Sequence, residues 1–155
     1  MNIGIIVHSK SGNTYAAAQK LQQKLSTAGH KVTIERLNPI GDAHPGIKNL
    51  QLEKSPKINE YEGLIFAAPV WAFAVSPVMA TYMEQLSSLQ GKKIGSFVTM
   101  GFPLPWLGGN RAIKQIKEKC ESKGGTVSAS AIIGSSGKDK KATNEMIDTI
   151  GGIFK

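Results

Sequence analysis

The chain has 155 residues, 41% of them hydrophobic, and a formal net charge of +8. That length suits one domain, 1–155, with a real core, and no apolar run reaches the roughly 18–20 residues of a membrane span. A single cysteine, Cys120, excludes an internal disulfide and a multi-cysteine metal site; with Met1-Asn2-Ile3 entering a strand directly, a cytoplasmic protein without a signal peptide is expected.

In chain order, Ile3–His8 reads as a buried parallel strand, followed by the polar loop Ser9–Thr14. Ala18, Leu21, Leu25 and Ala28 recur at helical spacing over Thr14–Ala28, and Gly29 ends that helix. Lys31–Leu37 is a second strand. Pro39–Pro56 is polar and irregular, so a helix there is short or absent, with Ile47–Leu52 the candidate. Gly63–Ala68 is a third strand, and Pro69–Pro77 a loop of aromatic and small residues. Val78, Met79, Tyr82, Leu86 and Leu89 stripe a helix; Ile94–Met100 is a fourth strand and Gly101–Gly109 a Pro/Gly-rich loop. Ile113, Ile116 and Cys120 mark a helix, Thr126–Ile133 a fifth strand, and Met146, Ile147, Ile150 and Phe154 a last helix. Five strands alternating with helices predict an α/β doubly wound three-layer sandwich around a five-stranded parallel sheet.

The loop Ser9-Lys10-Ser11-Gly12-Asn13-Thr14 carries the clearest chemistry. The first N–H groups of a helix lack partners, and the helix dipole favours an anion there. Ser9, Ser11, Thr14 and Asn13 add side-chain donors, and Gly12 lets backbone approach a bulky anion. A simple N-cap needs one such residue. Neither G-x-x-x-x-G-K-[ST] nor G-x-G-x-x-G is present, so a phosphomonoester suits the loop better than a nucleoside triphosphate or a dinucleotide.

Ser9-x-Ser11-Gly12-Asn13-Thr14, followed by Ala18 and Leu21, resembles the FMN-phosphate loop of the flavodoxins, and the likeness in element order runs over nearly the whole chain. The match is to the wider flavodoxin-like FMN-binding group of short-chain type, since Val7 stands where flavodoxins often carry an aromatic residue. The resemblance implies strand order 2-1-3-4-5, with FMN beyond the carboxyl ends of the strands where the order reverses, as in flavodoxin itself. It also implies that Pro69, Val70, Trp71, Ala72 and Phe73 hold the flavin ring, and that Thr99, Met100 and Gly101 contact its other face and pyrimidine edge. Trp71 offers a flat face to a planar ring, with Phe73 the alternative; both read equally as packing residues when the phosphate loop is set aside. Thr99 offers a hydroxyl, and Met100 and Gly101 offer amides. Lys10 and Gly12 complete the cofactor-binding set.

Three further features stay outside that set. Phe102 and Trp106 lie in an apolar loop that reads as a lid, a partner surface or a homodimer contact. His8 borders the phosphate loop, either orienting a loop hydroxyl or sitting buried beside it. No paired histidines suggest a metal, no nucleophile–base–acid set is present, and Cys120 reads as core.

Charge is uneven. Ile58–Gln90 has only acidic residues, Glu60, Glu62 and Glu84, whereas Gly91–Lys141 has ten basic against three acidic ones. Lys114, Lys117 and Lys123 fall at polar helical positions and read as a solvated face; an acidic redox partner protein is the alternative, and nucleic acid is disfavoured because basic and aromatic residues do not interleave. The leading functional expectation is an FMN-binding electron-transfer protein. The alternatives are an FMN-dependent NAD(P)H oxidoreductase acting on a quinone or similar acceptor, and a non-redox phosphate-binding module. With few carboxylates near the ring, the potential of the second reduction step should be less negative than that of an acidic flavodoxin. A redox titration returning a strongly negative second potential contradicts this expectation.

Overall fold

The computed structural model describes residues 1–102, 104, 106–135 and 138–154; Pro103 and Pro105 of the apolar loop lie outside the described residues. Strands β1 (Asn2–His8), β2 (Lys31–Leu37), β3 (Gly63–Trp71), β5 (Lys93–Thr99) and β6 (Val127–Ile133) form a parallel sheet in the order β2-β1-β3-β5-β6. The two-residue strand β4 (Ala74–Val75) pairs antiparallel with the end of β3. Discounting β4, this is the expected order.

Side chains alternate across a strand, so each strand feeds both faces of the sheet. Ile3, Ile5 and Val7 of β1 join Ile65, Ala67 and Phe97 under α1 (Asn13–Thr27) and α4 (Lys140–Gly151). Ile6, Leu64, Phe66, Ala68 and Val98 face the opposite way, beneath α2 (Pro77–Glu84) and α3 (Gly109–Ser122). Two apolar layers about one sheet give the three-layer sandwich. Among the described residues no helix is long and apolar enough to cross a membrane.

Local departures from the sequence reading have physical causes. β3 does not stop at Ala68; it runs to Trp71 and turns through Ala72 and Phe73, whose φ angles are 49° and 64°, into β4. Two consecutive left-handed residues are what a tight hairpin requires, and neither is glycine, so the turn signal is hidden in the sequence. Residues 38–62 contain no helix. An antiparallel bridge, Pro39 to Leu52, closes the segment, with Ile40 N–H donating to Gln51 O at 2.9 Å and Glu53 N–H to Asn38 O at 2.9 Å. Helix α2 ends at Glu84, yet Leu86 and Leu89 remain buried, and Phe154 lies in a 3₁₀ turn, Gly152–Phe154.

The sheet is packed closely at Gly63, where an added Cβ would lie 2.5 Å from the Phe154 ring. Gly63→Ala should therefore cost about 1–3 kcal/mol through overpacking. Urea denaturation should show a lower midpoint at unchanged slope; an unaltered midpoint contradicts this packing.

Candidate functional site

The carboxyl ends of β1, β3 and β5 converge where the strand order reverses. A cavity of about 490 Å³ opens there, within the range typical of small-molecule sites. Lys10, Ser11, Asn13 and Thr14 line it from the first loop, Pro69, Val70, Trp71 and Ala72 from the β3–β4 hairpin, and Thr99, Met100 and Gly101 from the end of β5. Among the described residues no carboxylate lines it.

The first loop is ordered from within. Buried Ser9 turns away from the cavity, and its Oγ accepts the N–H groups of Gly12 and Tyr15, each at 3.1 Å. Ser9 therefore shapes the loop instead of lining the site. Arg36 braces it from outside: Nη2 donates to Ser9 O at 2.7 Å while the guanidinium lies 4.8 Å from the Tyr15 ring centre. Gly12 has φ 95°, and a Cβ there would meet nothing within 4 Å, so the approach to the helix end is open. Among the described residues the N–H groups of Asn13 and Thr14 find no acceptor. These are the orphan donors of a helix start, aimed where an anion is favoured.

Thr14 and Thr99 join the first and third loops through a buried hydroxyl pair 2.7 Å apart. One hydroxyl donates to the other, leaving the second free to donate elsewhere. Met100 N–H donates to Ile133 O at 3.0 Å, so it is not available to a ring carbonyl as the sequence reading had it; in this loop that leaves Gly101, which is exposed.

Phe73 is set apart from the cavity lining. Its ring is 53% exposed and stacks on the equally exposed Phe102, centres 6.4 Å apart and planes 8° from parallel. The two rings form an exposed apolar rim, and Leu104 and Trp106 are exposed as well. Gly108 holds this rim to the hairpin: its φ is +110°, and a Cβ would lie 2.6 Å from Phe73 Cα. The sequence reading missed a further wall, Ala43, His44 and Pro45. Nothing in that polar stretch signals it; the contact is tertiary, with Lys10 Nζ donating to Ala43 O at 3.4 Å.

His8 is buried at the end of β1 beside Trp71, its Nδ1 2.8 Å from Ser76 Oγ, the N-cap of α2. Burial, then the nearby charges of Arg36 and Lys10, lower its pKa to about 4. Cys120 is buried on α3, and burial raises its thiol to about 12, so it packs as an inert core residue.

The model of the family described as NADPH-dependent FMN reductase matches residues 1–138. Similar solved structures include a short-chain flavodoxin associated with a non-canonical PDU bacterial microcompartment, at 13% identity and TM-score 0.74 over 99% of this chain and 97% of that one. Flavodoxin 2 from Bacillus cereus aligns at 17% identity and TM-score 0.74, covering 99% and 98%. Megasphaera elsdenii flavodoxin aligns at 20% identity and TM-score 0.70, covering 97% and 98%. At these identities the structures establish the fold, which is flavodoxin-like. No curated protein matches the chain by sequence.

The state of His8 predicts acid sensitivity. An unfolded histidine titrates near 6.5, so between pH 6.5 and about 4 the unfolded chain binds a proton that the fold refuses. Stability is full above pH 6.5 and falls as pH drops towards 4. Between pH 7 and 4.5 the native protein should lose about 2–3 kcal/mol more than His8→Gln does, measured by urea denaturation; equal losses contradict the assignment.

Proposed function

The chain belongs to the NADPH-dependent FMN reductase family, and on that premise we propose that it is an FMN-dependent oxidoreductase fed by NADPH, with the flavin held in the 490 Å³ cavity. The observation that carries this reading is the pair of open N–H groups, Asn13 and Thr14, at the head of α1, beside a cavity wide enough for a ring and, among the described residues, lined by no carboxylate. The residues fit FMN: a phosphomonoester needs donors and no opposing charge, and the first loop supplies both.

Asn13 and Thr14 N–H, with the Ser11 and Thr14 hydroxyls, would hold the phosphate, and the Lys10 ammonium would offset its charge. The hairpin Pro69–Ala72 and the segment Thr99–Gly101 would flank the ring, with Trp71 as an aromatic wall and Gly101 N–H as a donor to a ring carbonyl. Ala43–Pro45 would close the β2 side and limit water. When bound, FMN supplies the electron-accepting chemistry, and the protein supplies placement and field. The exposed Phe73–Phe102 pair offers an apolar surface to a second reactant.

That apolar rim also favours a second reading, an electron carrier that docks a redox protein over the mouth. Turnover separates the two: anaerobic NADPH oxidation by the FMN-loaded protein with a quinone acceptor is expected, and its absence returns the chain to the carrier reading. For the cofactor, Ser11→Ala should weaken FMN about ten- to a hundredfold, the worth of one hydrogen bond to a charged group, while leaving riboflavin little changed. Equal losses for both ligands contradict the phosphate assignment.

A further inference from the structure

Trp71 stands between two hollows. The residue lines both the 490 Å³ cavity and a second cavity of about 290 Å³ bounded also by His8, Arg36 and Glu53. Trp71 also packs against the apolar layer beneath α2 and α3, so contacts beyond that packing must decide its position between the two hollows. Two are present. Lys10 Nζ lies 5.8 Å from the indole centre, but on a long and exposed side chain. The His8 ring meets the indole edge-on, centres 5.1 Å apart at 77°, and is itself buried and fixed by Ser76 at the head of α2.

We propose that His8 is a positioning residue for the ring wall: anchored on Ser76, it keeps the Trp71 indole from collapsing into the smaller hollow. His8 is also the last residue of β1, immediately before the anion loop. The same strand end therefore places the loop through its backbone and the aromatic wall through its side chain. A hydroxyl-anchored imidazole is suited to this because it combines a directional hydrogen bond with an aromatic edge. The ligand arm of the test rests on the FMN reading; the indole arm does not.

In a Trp106→Phe background Trp71 is the only tryptophan. His8→Ala should lower the anisotropy of Trp71 emission, and should weaken FMN and riboflavin by the same factor, up to about tenfold for one edge-to-face contact. His8→Phe, which restores the aromatic edge without the Ser76 anchor, should recover part of the anisotropy and of both affinities. Unchanged anisotropy in folded His8→Ala, or weakening of FMN alone, overturns the proposal. Should His8→Ala fail to fold, His8→Phe decides: anisotropy kept, in part or in full, supports it, and anisotropy lost overturns it. A starting protein that binds no FMN counts against the functional reading, while the anisotropy comparison still judges the role of His8.

Discussion

The site depends on the unfilled hydrogen-bonding capacity at the start of α1. Helix geometry leaves the first N–H groups without internal acceptors. Ser9 Oγ takes two N–H groups of this turn, Gly12 and Tyr15, and in doing so shapes the loop. Asn13 and Thr14 are left facing the cavity. A loop that satisfied all its donors internally would be a cap; this one is satisfied only as far as its shape requires. The parallel sheet then gives the arrangement its place, because the chain leaves β1 and β3 on opposite sides of the order reversal and so opens a crevice between their loops.

The ring-facing half is built with less regular material. Ala72 and Phe73 both occupy the left-handed region, at a cost on the order of 1 kcal/mol or more each. Val75 N–H donates to Gln115 Oε1 at 2.8 Å, and Ser76 N–H donates to Pro69 O at 3.1 Å, so the strained turn is tied to α3 and back onto β3. The hairpin projects Phe73 outward and keeps Trp71 at the cavity. The buried Thr14–Thr99 hydroxyl pair couples this end of β5 to the anion loop. The first loop and the end of β5 are thereby parts of one connected frame.

Much of this was legible in the sequence because it follows from periodicity and local chemistry. The continuous apolar runs of β1, β3 and β5 announce strands buried on both faces, and the hydroxyl-rich loop announces a helix start rich in donors. The hidden parts are those decided by tertiary contact. Ser9 reads as a ligand donor, yet its hydroxyl serves its own backbone. The Met100 amide reads as free, yet β6 captures it. Ala43–Pro45 carry no local signal and reach the cavity because a bridge from Pro39 to Leu52 folds their segment back. Ser76 looks like an ordinary N-cap, and its bond to His8 spans 68 positions of sequence.

The central claim is that the Asn13 and Thr14 amides grip the phosphate of FMN. Amide proton and nitrogen chemical shifts of the ¹⁵N-labelled protein, recorded during titration with FMN and separately with riboflavin, test it most directly. The account predicts large downfield shifts of these two amides with FMN and small ones with riboflavin, while hairpin residues such as Trp71 and Ala72 respond to both. Amides at Asn13 and Thr14 that stay in place as FMN saturates the protein, or that move equally with riboflavin, would contradict it.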